Sequence, residues 1–146
     1  MNHKVFERPL YNDADPISKQ AAAAFFQEFN YEVLDINKEH YRDFDIQIQK
    51  DGRIINIEIE RSYTWRGGEF PYSYCSIPAR KSATKADFYI YFRHDLRKMK
   101  LFHVKDIKAS PFMFKDTRIT KNEQFFNVSL SHSHDYEIDE DGWTDI

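Results

Sequence analysis

The sequence predicts a single α/β domain with a mixed central β-sheet flanked by helices. Its 146 residues suit one domain and are enough to bury a substantial core. Helix-like and strand-like segments alternate along the chain, and Asp51-Gly52 marks a tight hairpin between two of the strands. The chain also contains thirteen Phe, nine Tyr and two Trp, which argues against disorder over its whole length.

The first helix is predicted to begin at Asp15-Pro16. Asp15 suits the N-cap, and Pro16 suits the first helical position. Apolar residues then follow helical spacing at Ile17, Ala21, Ala24, Phe25 and Phe29, and Asn30 is a natural stop. We expect a short strand over Tyr31–Ile36 to lead from this helix into the hairpin.

Residues 43–60 predict the hairpin and its register. A two-residue type I′ turn needs positive φ at both central positions, and Asp-Gly supplies them. Counting outward from the turn gives the pairs Lys50–Arg53, Ile48–Ile55, Gln47–Asn56, Ile46–Ile57, Asp45–Glu58, Phe44–Ile59 and Asp43–Glu60. Because side chains alternate between faces, one face is wholly apolar and the other carries four carboxylates.

The carboxylate face of the hairpin predicts a metal site. Directly opposed like charges, with Cβ atoms about 5 Å apart, destabilise a strand pair. A divalent cation would offset the repulsion, and Mg²⁺ is commonly held by one or two carboxylates together with substrate phosphates. The alternative is a solvated acidic face whose acids pair with distant Arg or Lys side chains.

Further elements are predicted after the hairpin. They are an aromatic and basic loop over Ser62–Tyr74, a helix over Pro78–Ala86, a buried strand over Asp87–Phe92, strands at Lys100–Val104 and Gln124–Leu130, and a helical turn at Lys105–Lys108. The loop could stack bases and bind phosphates, or it could pack against the core.

Charge divides the chain into three blocks. Residues 1–60 carry 7 Lys/Arg against 12 Asp/Glu, residues 61–122 carry 14 against 5, and residues 123–146 carry none against 7. The net charges are therefore −5, +9 and −7, which sum to the total of −3. A basic middle beside an acidic cluster suits a polyanion whose phosphates reach the carboxylates through a metal.

Domain limits and compartment follow from composition. We expect residues 1–130 to form the domain and residues 131–146 to form an acidic C-terminal tail that could be flexible. One cysteine, Cys75, leaves no internal disulfide and no multi-Cys zinc site. No apolar run reaches transmembrane length and the N-terminus lacks a signal-peptide core, so we expect a soluble cytoplasmic protein with no membrane partner.

The predicted element order resembles the PD-(D/E)xK nuclease superfamily, whose restriction-endonuclease-like core is αβββαβ. Phe44-Asp45 corresponds to the Pro-Asp of that family, and Ile57-Glu58-Ile59-Glu60 corresponds to its apolar-(Asp/Glu)-x-Lys motif. The resemblance covers residues 16 to 104. Two positions differ from the motif: Phe44 stands in place of Pro, and Glu60 stands in place of Lys.

The resemblance implies an Mg²⁺-dependent endonuclease that hydrolyses DNA phosphodiester bonds, with Mn²⁺ as an alternative metal. Asp45, Glu58 and the backbone carbonyl of Ile59 would bind the metal. Glu60 would orient or deprotonate the attacking water, or hold a second metal. Lys81 on the second predicted helix would replace the missing motif lysine.

The implied partner is DNA, double-stranded or branched. The residues expected to contact it are Arg61, Arg66, Arg80, Arg93, Arg97 and Lys98. A homodimer would allow two strands to be cut. The acidic tail could dock a protein partner, shield the basic groove or remain a solvated end. Two other functions stay open: a catalytically inactive module of this fold that binds nucleic acid or protein, and a nuclease that acts on RNA.

Overall fold

A computed structural model describes residues 15–36, 44–82, 85–117 and 121–146. Its elements are α1 (Pro16–Glu28), β1 (Glu32–Ile36), β2 (Ile46–Lys50), β3 (Arg53–Arg61), β4 (Tyr74–Pro78), α2 (Ala79–Ser82), β5 (Phe88–Phe92), β6 (Lys98–His103), α3 (Val104–Lys108), β7 (Phe112–Lys115), β8 (Glu123–Ser129), a 3₁₀ turn (Leu130–His132), β9 (His134–Asp139) and β10 (Gly142–Asp145). This mixed α/β architecture confirms the predicted fold class.

The described residues form two sheets. The larger has seven strands in the order β1-β2-β3-β5-β6-β9-β10, in which β3 and β5 run parallel and the other neighbours run antiparallel. The smaller has the order β4-β8-β7 and is antiparallel. One core lies between α1 and the larger sheet, and a second lies between the two sheets.

The hairpin confirms the predicted turn and most of the predicted register. Asp51 has φ of 53° and Gly52 has φ of 77°, so both central residues are left-handed as a type I′ turn requires. The ladder pairs Lys50 with Arg53 and continues in the predicted register to Ile46 and Ile57. Five isoleucines of the two strands are buried beneath α1, namely Ile46, Ile48, Ile55, Ile57 and Ile59, whereas Ile54 is exposed.

Beyond Ile46 the predicted register is wrong, because the regular ladder ends there. Ile46 pairs with Ile57, yet the Asp45 N–H also donates to the Ile57 carbonyl at 2.8 Å. Two residues of one strand therefore oppose one residue of the other, which is the arrangement of a β-bulge. The predicted pairs Asp45–Glu58 and Phe44–Ile59 are not part of the ladder, and Asp43 lies outside the described residues.

The first helix begins and ends where the sequence predicts. The Asp15 side chain accepts from the Ser18 N–H at 2.8 Å, and Pro16 occupies the first turn. Asn30, with φ of 69°, reverses the chain after the helix. Burial works to raise the pKa of Asp15, but the hydrogen bonds from Ser18 and Arg61 outweigh it and leave that pKa below its ordinary value.

The expectation of a flexible C-terminal tail is corrected by β9 and β10, which extend the larger sheet beyond β6. Trp143 is 6% exposed and packs edge-on against Phe25, with ring centroids 5.5 Å apart. The Trp143 N–H also donates to Glu28 Oε1 at 2.7 Å. The prediction of a flexible tail relied on the acidic residues of this segment, but its apolar residues pack on α1.

The second predicted helix is also corrected. Ser76-Ile77-Pro78 belongs to β4, which pairs with β8, and a helix follows over Ala79–Ser82. Lys85 and Ala86 are not helical, and residues 83 and 84 lie outside the described part of the chain. The pairing with β8 uses residues almost fifty positions away, so local sequence could not reveal it. The described part of the chain contains no helix that is long and apolar enough to cross a bilayer.

Candidate active site

Asp45 is anchored at the bulge by two contacts. It is 2% exposed, and its Oδ2 accepts from the Ile59 N–H at 2.7 Å. Its Oδ1 lies 3.7 Å from Lys19 Nζ. In a continuous ladder the Ile59 N–H would bond the Phe44 carbonyl. The Asp45 carboxylate takes that role here, which fixes it between β3 and α1.

Lys19 is a site residue that the sequence analysis missed. It projects from α1 and is 6% exposed, so its ammonium is buried beside Asp45. A buried ammonium requires a charged or hydrogen-bonded partner. The signal was present in the sequence: Lys19 precedes the buried Ala23 and Phe26 by four and seven residues, so a cation occupies the apolar stripe of the helix.

Ile59 lies next to Asp45 on the opposite strand. Glu58 is 5% exposed and directly precedes Ile59, whose N–H is bound by Asp45. In a β-strand the N–H and the carbonyl of one residue point to the same neighbouring strand. The Ile59 carbonyl is therefore directed to the side of β3 on which Asp45 lies.

The oxygen atoms of Asp45, Glu58 and the Ile59 carbonyl are of the chemical type that binds Mg²⁺. Two carboxylates and a carbonyl are oxygen ligands, and Mg²⁺ completes its coordination with waters and substrate phosphates. Among the residues that the structure describes, no group of three or more His, Cys, Asp or Glu side chains could hold a metal. A site here would therefore depend on the two carboxylates and the carbonyl together.

The Glu60 side chain is held by neighbouring side chains of β5. Tyr89 donates its hydroxyl hydrogen to Glu60 Oε1, and Tyr91 lies beside Glu60 in the sheet register. Burial and the nearby Glu60 charge raise the pKa of both tyrosines. The same two causes raise the pKa of the buried Cys75 thiol, so it is a poor nucleophile.

The two cations predicted to act in catalysis or on phosphate lie on α2. Lys81 falls in this helix, but its side chain lies outside the described part of the chain. Arg80 Nε is 3.0 Å from Glu123 Oε2 on β8, so an ion pair within the protein engages this guanidinium.

Three further predicted DNA contacts also have partners within the protein. Arg61 donates to the His94 carbonyl at 2.7 Å and reaches Asp15 at 3.4 Å. The guanidinium of Arg93 binds both oxygens of Asp95, and Lys98 pairs with Glu69 at 2.7 Å. The remaining two predicted contacts, Arg66 and Arg97, are exposed.

Comparison with known proteins finds a solved structure of similar fold. No family model matches this chain, and no curated protein matches it. Among solved structures, a bacterial homing endonuclease, I-Ssp6803I, is similar to it with a TM-score of 0.53 and 16% identity over 80% of this chain and 81% of that one. At this identity the similarity shows the fold alone. The chain thus has a nuclease-like α/β fold.

Proposed function

We propose that this protein is an Mg²⁺-dependent endonuclease that hydrolyses DNA phosphodiester bonds, with Mn²⁺ as an alternative metal. The observation that carries the proposal is the buried Asp45 carboxylate, bonded at 2.7 Å to the N–H of Ile59, the residue that follows the buried Glu58. The homing endonuclease that shares the fold supports the same chemistry.

Asp45, Glu58 and the Ile59 carbonyl would hold the metal. A bound Mg²⁺ lowers the pKa of a coordinated water and neutralises charge that builds on the phosphoryl oxygens. The protein contributes rigidity to the ligands, since the Ile59 N–H fixes one Asp45 oxygen and burial restricts Glu58.

Glu60 would orient the attacking water or accept its proton. The Tyr89 hydroxyl restrains Glu60, so its carboxylate keeps one position while the substrate binds. We propose Lys19 as the cation nearest the reacting phosphate, because its ammonium is already buried 3.7 Å from Asp45. Lys81 remains a second proposed source of positive charge, with Arg80 beside it for phosphate.

The test is cleavage of supercoiled, linear, branched and single-stranded DNA in Mg²⁺ and in Mn²⁺. Asp45→Asn and Glu58→Gln should each abolish cleavage and leave the circular dichroism spectrum unchanged. Glu140→Gln, an equally small change at an exposed acid of the β9–β10 turn, should cleave like the wild type. Undiminished metal-dependent cleavage by either site variant would reject the site. A parallel RNA substrate separates the two nucleic acids, and the ratio of double-strand to single-strand cuts tests the proposed homodimer.

One observation favours a second function, which is binding without cleavage. The Lys19 ammonium lies 3.7 Å from Asp45 and supplies positive charge where a metal would otherwise be needed. In that case the domain would bind nucleic acid or protein without cutting. It would then show no metal-induced rise in melting temperature and no cleavage, while DNA binding persisted.

A further inference from the structure

A basic groove lies at the end of the sheet where β3 and β5 begin and β6 ends. It encloses about 410 Å³ and is lined by Arg53, Asp87, Phe88, His103, Lys105 and Lys108, with Ala86 and Val104 between them. Among the described residues that line the groove, three cations therefore accompany one carboxylate. That carboxylate, Asp87, already accepts from the Asn56 N–H at 2.9 Å, so part of its acceptor capacity is used.

The three cations of this groove differ from most of those that the sequence analysis selected. Arg53, Lys105 and Lys108 are exposed, and within the described part of the chain none of their side chains has a hydrogen bond or an ion pair. In contrast, the predicted contacts Arg93 and Lys98 are paired with Asp95 and Glu69. A cation without an internal partner can bind phosphate without first breaking an ion pair.

We propose that this groove binds the phosphate backbone of the nucleic acid substrate. The inference rests on the proposed nuclease function and assigns it a contact surface. Phosphate contacts from Arg and Lys supply most of the salt-dependent affinity of such proteins and fix their register on the duplex. The His103 ring contacts the Phe88 ring in a tilted arrangement within the groove, with ring centroids 4.4 Å apart.

The distance from the groove to the candidate active site can be estimated along β3. Arg53 and Glu58 belong to the same strand, five residues apart. At about 3.3 Å per residue, this separation is roughly 17 Å. With one base step per 3.4 Å of duplex axis, roughly five steps cover it. The groove and Glu58 are therefore separated by about five base steps along β3.

The test measures binding apart from cleavage. Wild-type protein in EDTA is titrated with a fluorescently labelled DNA duplex at several salt concentrations, and anisotropy gives the binding constant. The variant Arg53→Gln/Lys105→Gln/Lys108→Gln should bind more weakly at every sequence tested. Each lost phosphate contact reduces the slope of log K against log salt by about 0.9, so the slope should fall by up to about 3.

The control is Lys115→Gln/Lys121→Gln, which removes two exposed positive charges from positions outside both the groove and the predicted DNA contacts. Its salt slope should stay near that of the wild type. The proposal is overturned if the groove variant keeps the wild-type slope, or if the control flattens the slope as much as the groove variant does. Circular dichroism melting checks that both variants fold. If the protein cleaves DNA but the groove variant keeps the wild-type salt slope, only the groove is rejected. If the groove variant flattens the salt slope but the protein does not cleave, only the nuclease function is rejected.

Discussion

Replacing Lys19 with Met tests how the buried charge pair holds the site together. Met keeps the length and apolar stem of the side chain but removes the ammonium that lies 3.7 Å from Asp45 Oδ1. The Asp45 carboxylate then stays buried with the Ile59 N–H as a remaining donor, at 2.7 Å. We therefore expect the variant to fold but to be less stable.

The size of the loss follows from the burial of both partners, which are 6% and 2% exposed. Breaking a buried ion pair from one side costs about 3–5 kcal/mol, because a charge is left uncompensated. The Ile59 hydrogen bond persists, so we expect the lower end, about 3 kcal/mol. For a domain of this size 1 kcal/mol shifts the melting temperature by roughly 3–4 °C, which predicts a fall of about 10 °C.

Thermal melting followed by circular dichroism measures this shift. The double variant Lys19→Met/Asp45→Asn removes both charges and should recover most of the loss, and the four proteins together form a double-mutant cycle. Mg²⁺ should raise the melting temperature of Lys19→Met more than that of the wild type, because the competing ammonium is absent. A Lys19→Met protein that melts within about 2 °C of the wild type would refute the charge pair.

Three further predictions concern the fold and its buried groups. Trp143→Ala should cost about 3–5 kcal/mol in urea unfolding, because the indole packs on Phe25; a loss below about 1 kcal/mol would make β10 peripheral. Gly52→Val should cost about 1–2 kcal/mol by the same measurement, since φ is 77° there; an unchanged midpoint would contradict the turn assignment. The pKa values of Tyr89 and Tyr91 lie above the ordinary value of 10.0 in the folded protein, whereas in the unfolded chain they lie near it. The free energy of unfolding should therefore fall as pH rises above that value, and a flat profile would contradict their burial.

Local signals predicted the parts of the fold that depend on local geometry. The Asp-Gly turn fixed the hairpin register because both residues tolerate positive φ. Asp15 and Pro16 placed the start of α1 because capping satisfies the first backbone N–H groups. The apolar run of β5 identified a strand buried on both faces, and it pairs in parallel with β3.

The parts that were missed depend on long-range contacts. At the bulge the Asp45 carboxylate, in place of a backbone carbonyl, accepts from the Ile59 N–H fourteen residues further along the chain. Lys19 becomes a site residue only when α1 packs over that bulge. The acidic C-terminal segment pairs through β9 with β6, where Asp135 lies 3.1 Å from Lys100. Net charge alone did not predict that pairing.

The most direct test of the central claim is where a divalent ion binds. Mn²⁺ is added below stoichiometry to isotope-labelled protein, and the broadening of amide signals is recorded by nuclear magnetic resonance. We expect strong broadening at Asp45 and Ile59, and loss of that broadening in Glu58→Gln. Broadening confined to other parts of the protein, or none at all, would contradict a metal site at the bulge.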